Sequence, residues 1–238
     1  MTIYNIVAAS NEATVVAECP PTPYRSDSYQ SEAELEREFI KQLEEQGYEF
    51  IKIHGEATLI NNLRVQLEAL NHISFTDGEW QRFYTEKIAN AREGLTEKTR
   101  KLQDDYIQIL KRDDGTETNI YLIDKRNIHN NRLQVLNQYE APEGKHAARY
   151  DVTILVNGFP MVHVELKRRG VALREAFNQI NRYSRDSFWS GSGLFDYVQL
   201  FVISNGTHTK YYSNTTRKKH LDDQKPGSIP SGKKGSHS

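Results

Sequence analysis

The chain has 238 residues, with 31 Lys and Arg against 32 Asp and Glu and a formal net charge of −1. That length suits one large domain or two small ones, and so even a balance excludes attraction of a polyanion by the molecule as a whole, leaving local patches for such contacts. A single cysteine, Cys19, excludes an intrachain disulfide and favours an intracellular, cytoplasmic setting; no signal peptide and no apolar run of bilayer-spanning length is present, so no membrane partner is expected.

Residues 1–29 carry Pro20, Pro21 and Pro23 and read as an irregular lead-in. Ser31-x-x-Glu34 is a capping box that opens a helix running to about Gln46. Leu35, Phe39, Ile40 and Leu43 form its apolar face, yet Glu32 and Glu36 project into that face. A carboxylate there is costly unless it is paired or binds a metal; pairing with lysine or arginine at an edge is the plain alternative. Tyr48 to Ile53 reads as a short strand, and Ala57 to Leu70 and Asp77 to Asn90 as helices, the second capped by Asp77. Leu59, Leu63, Leu67 and Leu70 fit one helix face, and Trp80, Phe83 and Tyr84 are core candidates.

Lys101 to Leu110 and Thr118 to Ile123 are expected strands joined by Asp113-Asp114-Gly115, a hairpin signal. Arg132 to Tyr139 alternates less cleanly and is a further strand. Tyr197 to Ser204 suits a buried strand, and Asn205-Gly206 turns the chain into an outer strand over Thr209 to Ser213. From Arg217 the chain is rich in Lys, Gly and Ser, a composition that cannot bury a core and predicts disorder over 216–238. The compact domain is therefore expected over 30–215, as a mixed sheet with helices packed against it.

The stretch from Tyr150 to Tyr183 carries the chemistry. Its first strand, Tyr150 to Val156, sets Asp151, Thr153 and Leu155 on one side and Val152, Ile154 and Val156 on the other. Its second, Met161 to Arg168, sets His163, Glu165 and Lys167 opposite Val162, Val164 and Leu166. A two-residue Asn157-Gly158 turn would pair Val156 with Phe159 and hence Asp151 with Val164, leaving the two valine rows on different faces. A shift by one, through a three-residue loop or a bulge, brings the apolar rows together. It also sets Asp151 opposite or near Glu165, with Lys167 on the same face. Two carboxylates suit Mg²⁺, which takes one or two of them with water and substrate phosphate. An ammonium group one strand step away can hold the attacking water or neutralise developing charge. A helix over Val171 to Arg185 follows, with Leu173, Phe177 and Ile180 as its stripe and Gln179 and Tyr183 one turn apart beside it. Lys167, Arg168 and Arg169 with Arg174, Arg182 and Arg185 form a basic patch suited to phosphates.

Asp151 followed by Glu165-Leu166-Lys167 resembles the D…(D/E)-x-K signature of the PD-(D/E)xK nuclease superfamily, with Tyr150 where that signature has proline. Gln179-x-x-x-Tyr183 is similar to the Q-x-x-x-Y element of its RecB-like members. Longer strings, SYQSEAELEREFIKQLEEQGYEF, RYDVTILVNGFPMVHVELKRRGVALREAFNQINRY and FVISNGTHTKYYSN, resemble the N-terminal nuclease domain of the R (HsdR) subunit of prokaryotic type I restriction enzymes. The resemblance implies an α/β, restriction-endonuclease-like fold and Mg²⁺-dependent hydrolysis of double-stranded DNA. It implies Asp151 and Glu165 as metal ligands with the Leu166 carbonyl as a third. Lys167 would orient water or stabilise the transition state, and Gln179 and Tyr183 would position substrate. Glu36, ahead of Glu32, would complete the metal environment, and Lys167, Arg168, Arg169 and Arg182 would meet DNA phosphates. It further implies modification and specificity subunits as partners and downstream ATPase motor domains. No G-x-x-x-x-G-K-[ST] phosphate loop occurs in this sequence, so no ATP site is expected and the chain reads as a fragment. Two other functions fit the same residues: a stand-alone repair or recombination nuclease of the superfamily, and a non-catalytic module docking DNA or subunits.

Overall fold

The computed structural model describes residues 5–9, 15–18, 31–53, 55–140, 149–171 and 193–214. Within the expected irregular lead-in, β1 (Asn5–Ala9) and β2 (Val15–Glu18) pair antiparallel. The β-branched residues Ile6, Val7, Val15 and Val16 supply the local preference for strands that the prolines obscured. The helix expected over Val171 to Arg185, with Gln179, Arg182 and Tyr183, and the tail expected to be disordered lie outside the described residues.

Helix α1 (Glu32–Glu45) starts as its capping box dictates. The Glu34 N–H donates to Ser31 Oγ at 3.2 Å and the Ser31 N–H donates to Glu34 Oε2 at 2.8 Å. The strand that follows, β3 (Glu49–Phe50), is shorter than the alternation suggested. Helices α2 (Glu56–Asn71) and α3 (Asp77–Phe83) come next, α3 running into a π-helical turn over Tyr84–Ile88. The cap of α3 is Thr76, whose hydroxyl accepts from the Glu79 N–H at 3.1 Å, with Asp77 in the first turn.

The largest departure from expectation is over Lys101 to Leu110. Helix α4 (Leu95–Gln103) occupies its first part and β4 begins only at Ile107, spanning Ile107–Lys111. The apolar residues alone mimicked a strand, but α4 buries Lys98 and Lys101 together with Leu102, the Lys101 ammonium meeting Glu93 and the Lys87 carbonyl. Lys98 Nζ meets Asp196 Oδ2 at 2.6 Å, which gives that helix face an internal partner. β4 and β5 (Glu117–Tyr121) form the expected hairpin as a separate two-stranded sheet.

The main sheet adds β6 (Leu133–Glu140), β7 (Arg149–Val156), β8 (Phe159–Leu166), β9 (Leu200–Ser204) and β10 (Thr209–Ser213). Its order is β10-β9-β8-β7-β6-β3, with β3–β6 and β8–β9 parallel and the other neighbours antiparallel. The architecture is therefore the expected mixed α/β sheet flanked by helices. Against one face α1 packs Ile40 and Leu43 onto Val135, Val152, Val164 and Leu166. Against the other lie Leu59, Leu63 and Leu67 of α2, with Trp80, Phe83, Leu155, Phe159, Tyr197 and Phe201. Each fully buried leucine there contributes roughly 1.5–3 kcal/mol relative to exposure. Because both faces are covered, the polar row of β7 and β8 is buried as well, including Thr153, His163 and Glu165.

The hairpin register came from the bulge, not from a longer loop. Asn157 and Gly158 take φ of +50° and +83°, and Val156 pairs with Phe159 across a two-residue turn. A shift then falls between Ile154 and Leu155: Leu155 pairs with Pro160 but Ile154 with Val162, so Met161 is the extra residue. Pro160, which lacks an N–H, sits where the ladder is already interrupted. Beyond the bulge Val152 pairs with Val164, which sets Asp151 level with Glu165. The turn is locked in place. Asn157 Oδ1 accepts from the Arg132 N–H at 2.8 Å, and its amide donates to Asn131 Oδ1 at 2.8 Å and to the Leu122 carbonyl at 3.1 Å. A Cβ on Gly158 would stand 2.6 Å from Leu63 Cα, so the turn abuts the backbone of α2.

Candidate active site

At the end of the sheet where β7 begins and β8 ends, two carboxylates and an ammonium group converge. Asp151 Oδ2 accepts a hydrogen bond from the Leu166 N–H at 2.8 Å. Glu165 is completely buried, and its Oε1 accepts from Lys167 Nζ at 2.8 Å. Its Oε2 is buried and accepts no hydrogen bond among the described residues. Lys167, 12% exposed at its side chain, also lies 4.0 Å from Glu32 Oε2.

Helix α1 closes this end of the sheet. Glu36 is buried, and its carboxylate accepts from Asn137 Nδ2 at 2.5 Å and from Gln138 Nε2. Its partners are thus amides of β6 and not the lysine or arginine of the plain alternative. Gln138 takes φ of +52°, a left-handed conformation unusual for its type, at the position facing Asp151 across the β6–β7 ladder. Glu32 is half exposed at the helix start, and its Oε1 accepts from the Arg168 N–H at 3.2 Å. Of the basic patch, Arg168 is exposed and Arg169 half-buried, whereas the Lys167 ammonium turns inward onto Glu165. Arg174, Gln179, Arg182, Tyr183 and Arg185 lie outside the described residues.

The electrostatics follow from burial. Desolvation, then the Glu165 carboxylate and more weakly Glu36, push the Asp151 carboxyl up to about 7, against the pull of the Leu166 N–H and of Lys167. For Lys167 burial works against the ammonium form, but Glu165, Asp151 and Glu32 more than offset it and raise its pKa above the ordinary lysine value. The Asp151 carboxyl thus resists ionisation beside the buried Glu165 carboxylate, whose Oε2 accepts no hydrogen bond among the described residues. Among the described residues no group of three or more His, Cys, Asp or Glu side chains could hold a metal. Two carboxylates would suit Mg²⁺, which takes one or two of them together with water and phosphate, rather than an ion that needs a full protein cage.

Asn137, Gln138 and His163 were not singled out from the sequence as site residues. Asn137 and Gln138 sit on a strand of weak alternation, and only the fold brings them to Glu36. His163 stood in the polar row of β8, but nothing in the spacing showed that row to be buried.

Residues 29–220 match the family described as the type I restriction enzyme R protein N terminus. The chain is 49% identical over 213 residues to the Type I restriction enzyme EcoprrI endonuclease subunit of Escherichia coli, covering 89% of this chain and 68% of that protein. It is 44% identical over 191 residues to the Type I restriction enzyme SsaAORF53P endonuclease subunit of Staphylococcus saprophyticus, 78% of this chain and 20% of the relative. It is 42% identical over 192 residues to the SauMSSORF170P endonuclease subunit of Staphylococcus aureus, 79% of this chain and 20% of the relative. The chain thus spans about two thirds of the first relative and a fifth of the other two. With its mixed sheet and acidic site in the matched region, the chain belongs to the family of type I restriction enzyme R protein N termini, as the endonuclease domain of an R subunit.

Proposed function

We propose that Asp151, Glu165 and Lys167 form a Mg²⁺-dependent centre of the PD-(D/E)xK kind that hydrolyses DNA phosphodiester bonds. The observation that carries this reading is the juxtaposition itself: Asp151 level with Glu165, Lys167 Nζ 2.8 Å from Glu165 Oε1, and Glu165 Oε2 buried without a hydrogen bond. Asp151 and Glu165, with the Leu166 carbonyl, would hold the ion. When bound, Mg²⁺ supplies polarisation of the phosphoryl group and a bound water acidic enough to attack near neutral pH. Asp151, whose carboxyl is pushed up to about 7 by burial and then by the Glu165 carboxylate, would give up its proton to ligate a cation. Lys167, kept charged by its carboxylate neighbours, directs an N–H toward the attacking water or the charge that develops on phosphorus oxygens. Glu36, anchored by Asn137 and Gln138, maintains the negative potential around Asp151.

Gln179 and Tyr183 would position the substrate strand, and Arg168, Arg169 and Arg182 would meet phosphates without reading bases. Sequence choice then falls to a separate specificity subunit, with a modification subunit and ATP-driven motor domains completing the enzyme. The test is calorimetric titration with Mg²⁺ and Mn²⁺ of the wild-type chain, Asp151→Ala and Glu165→Ala. Loss of binding in both variants supports the centre, and unchanged affinity in both overturns it. Cutting is assayed separately, in an R subunit that includes the motor and its partner subunits.

A further inference from the structure

Glu165 is anchored through one oxygen only. Lys167 holds Oε1, while Oε2 lies in the interior without a hydrogen bond among the described residues. On the same side of β8, two residues back, His163 places Nε2 3.7 Å from that oxygen, and both side chains are 0% exposed. The imidazole is confined: Tyr150 meets it edge-on at 5.3 Å between ring centroids and Phe201 at 6.2 Å. Thr153, its partner across the β7–β8 ladder, adds a buried hydroxyl to this row.

An apolar residue would fill the same space without burying two ring nitrogens. A carboxylate that binds metal needs a hydrogen bond to fix its plane, and loss of that partner weakens metal affinity. We infer that His163 is a positioning residue for Glu165: caged by Tyr150 and Phe201, it presents an Nε2–H to Oε2 and sets the carboxylate plane while Lys167 holds Oε1. A shift of under about 1 Å turns the observed approach into a hydrogen bond. The neutral imidazole protonated at Nε2 is sufficient, so the role needs no titration. Its consequence for metal rests on the function proposed above; its consequence for the orientation of Glu165 does not.

The test combines crystal structures of the metal-free wild-type chain and His163→Leu with Mn²⁺ calorimetry on wild type, His163→Leu and His163→Gln. In His163→Leu the Glu165 carboxylate is expected to rotate off Lys167 or to occupy two orientations. Its Mn²⁺ affinity is expected to fall about 10–100-fold, and His163→Gln, which keeps a donor N–H, to recover most of the loss. A Glu165 carboxylate unmoved in His163→Leu overturns the inference, as does equal weakening in the Leu and Gln variants, which marks a role in shape alone. If wild type itself takes up no Mn²⁺, the metal reading fails and the crystallographic comparison alone decides the role of His163. Should His163→Leu not fold, His163→Phe, nearer the imidazole in shape, takes its place.

Discussion

Replacing Asp151 by Asn should make the metal-free protein more stable, although it removes a proposed ligand. The folded carboxyl titrates at about 7 against an ordinary value of 3.8, so the native state binds the proton more tightly than the unfolded chain. The sign follows from that order. Below pH 3.8 both states are protonated and Asp151 costs nothing; as pH rises the unfolded state ionises first and stability drains away, until above pH 7 the penalty is complete. Some three pH units at 1.36 kcal/mol each give a ceiling of about 4 kcal/mol. Asparagine keeps an acceptor for the Leu166 N–H and loses the charge. At about 2–4 °C per kcal/mol for a chain of this size, a gain of 2–4 kcal/mol raises Tm at pH 8 by roughly 4–16 °C. Calorimetric melts from pH 4 to pH 8 in EDTA measure it, and the gap between variant and wild type should widen up to about pH 7 and then level off. Mg²⁺ should then raise the wild-type Tm and leave that of the variant where it was. An Asp151→Asn protein no more stable than wild type at pH 8 would refute this account of the Asp151 carboxyl.

Mg²⁺ uptake below pH 7 should release protons from Asp151, which calorimetry detects as a dependence of the binding heat on buffer ionisation enthalpy; identical heats in MES and imidazole at pH 6 count against it. Glu36→Gln should move the Asp151 titration below about 7, since Glu36 is one of the charges raising it, and carbon-13 NMR of the carboxyl reads the midpoint directly. Lys167→Met leaves the buried Glu165 carboxylate without its bonded cation and should cost about 3–5 kcal/mol in urea unfolding; a loss under 1 kcal/mol would mean the pair is not what neutralises Glu165. Gly158→Ala meets both the left-handed backbone and Leu63 Cα at 2.6 Å, and adding a left-handed cost of 1–2 to an overpacking cost of 1–3 gives a loss of about 2–5 kcal/mol. A neutral result there would show that the turn can lift away from α2.

The alternation of β7 and β8 was legible in the sequence because apolar rows on neighbouring strands must share a face, and that requirement alone brought Asp151 toward Glu165 and Lys167. The capping box of α1 and the Asn157-Gly158 turn were legible for the same reason: each is decided by bonds and dihedrals within a few residues. What the sequence left open was settled at longer range. Whether the extra residue lay in the turn or in the strand depended on α2, whose backbone abuts Gly158 and holds the two-residue turn, so the shift fell at Met161. Helix α4 took the first part of an expected strand, and its buried Lys98 meets Asp196, a partner far along the chain that local periodicity does not reveal. The amides that take up Glu36 come from β6, about a hundred residues on. Local periodicity determines which side chains share a face; only packing determines whether that face is buried, and burial is what raises the Asp151 carboxyl and leaves Glu165 Oε2 without a hydrogen bond among the described residues.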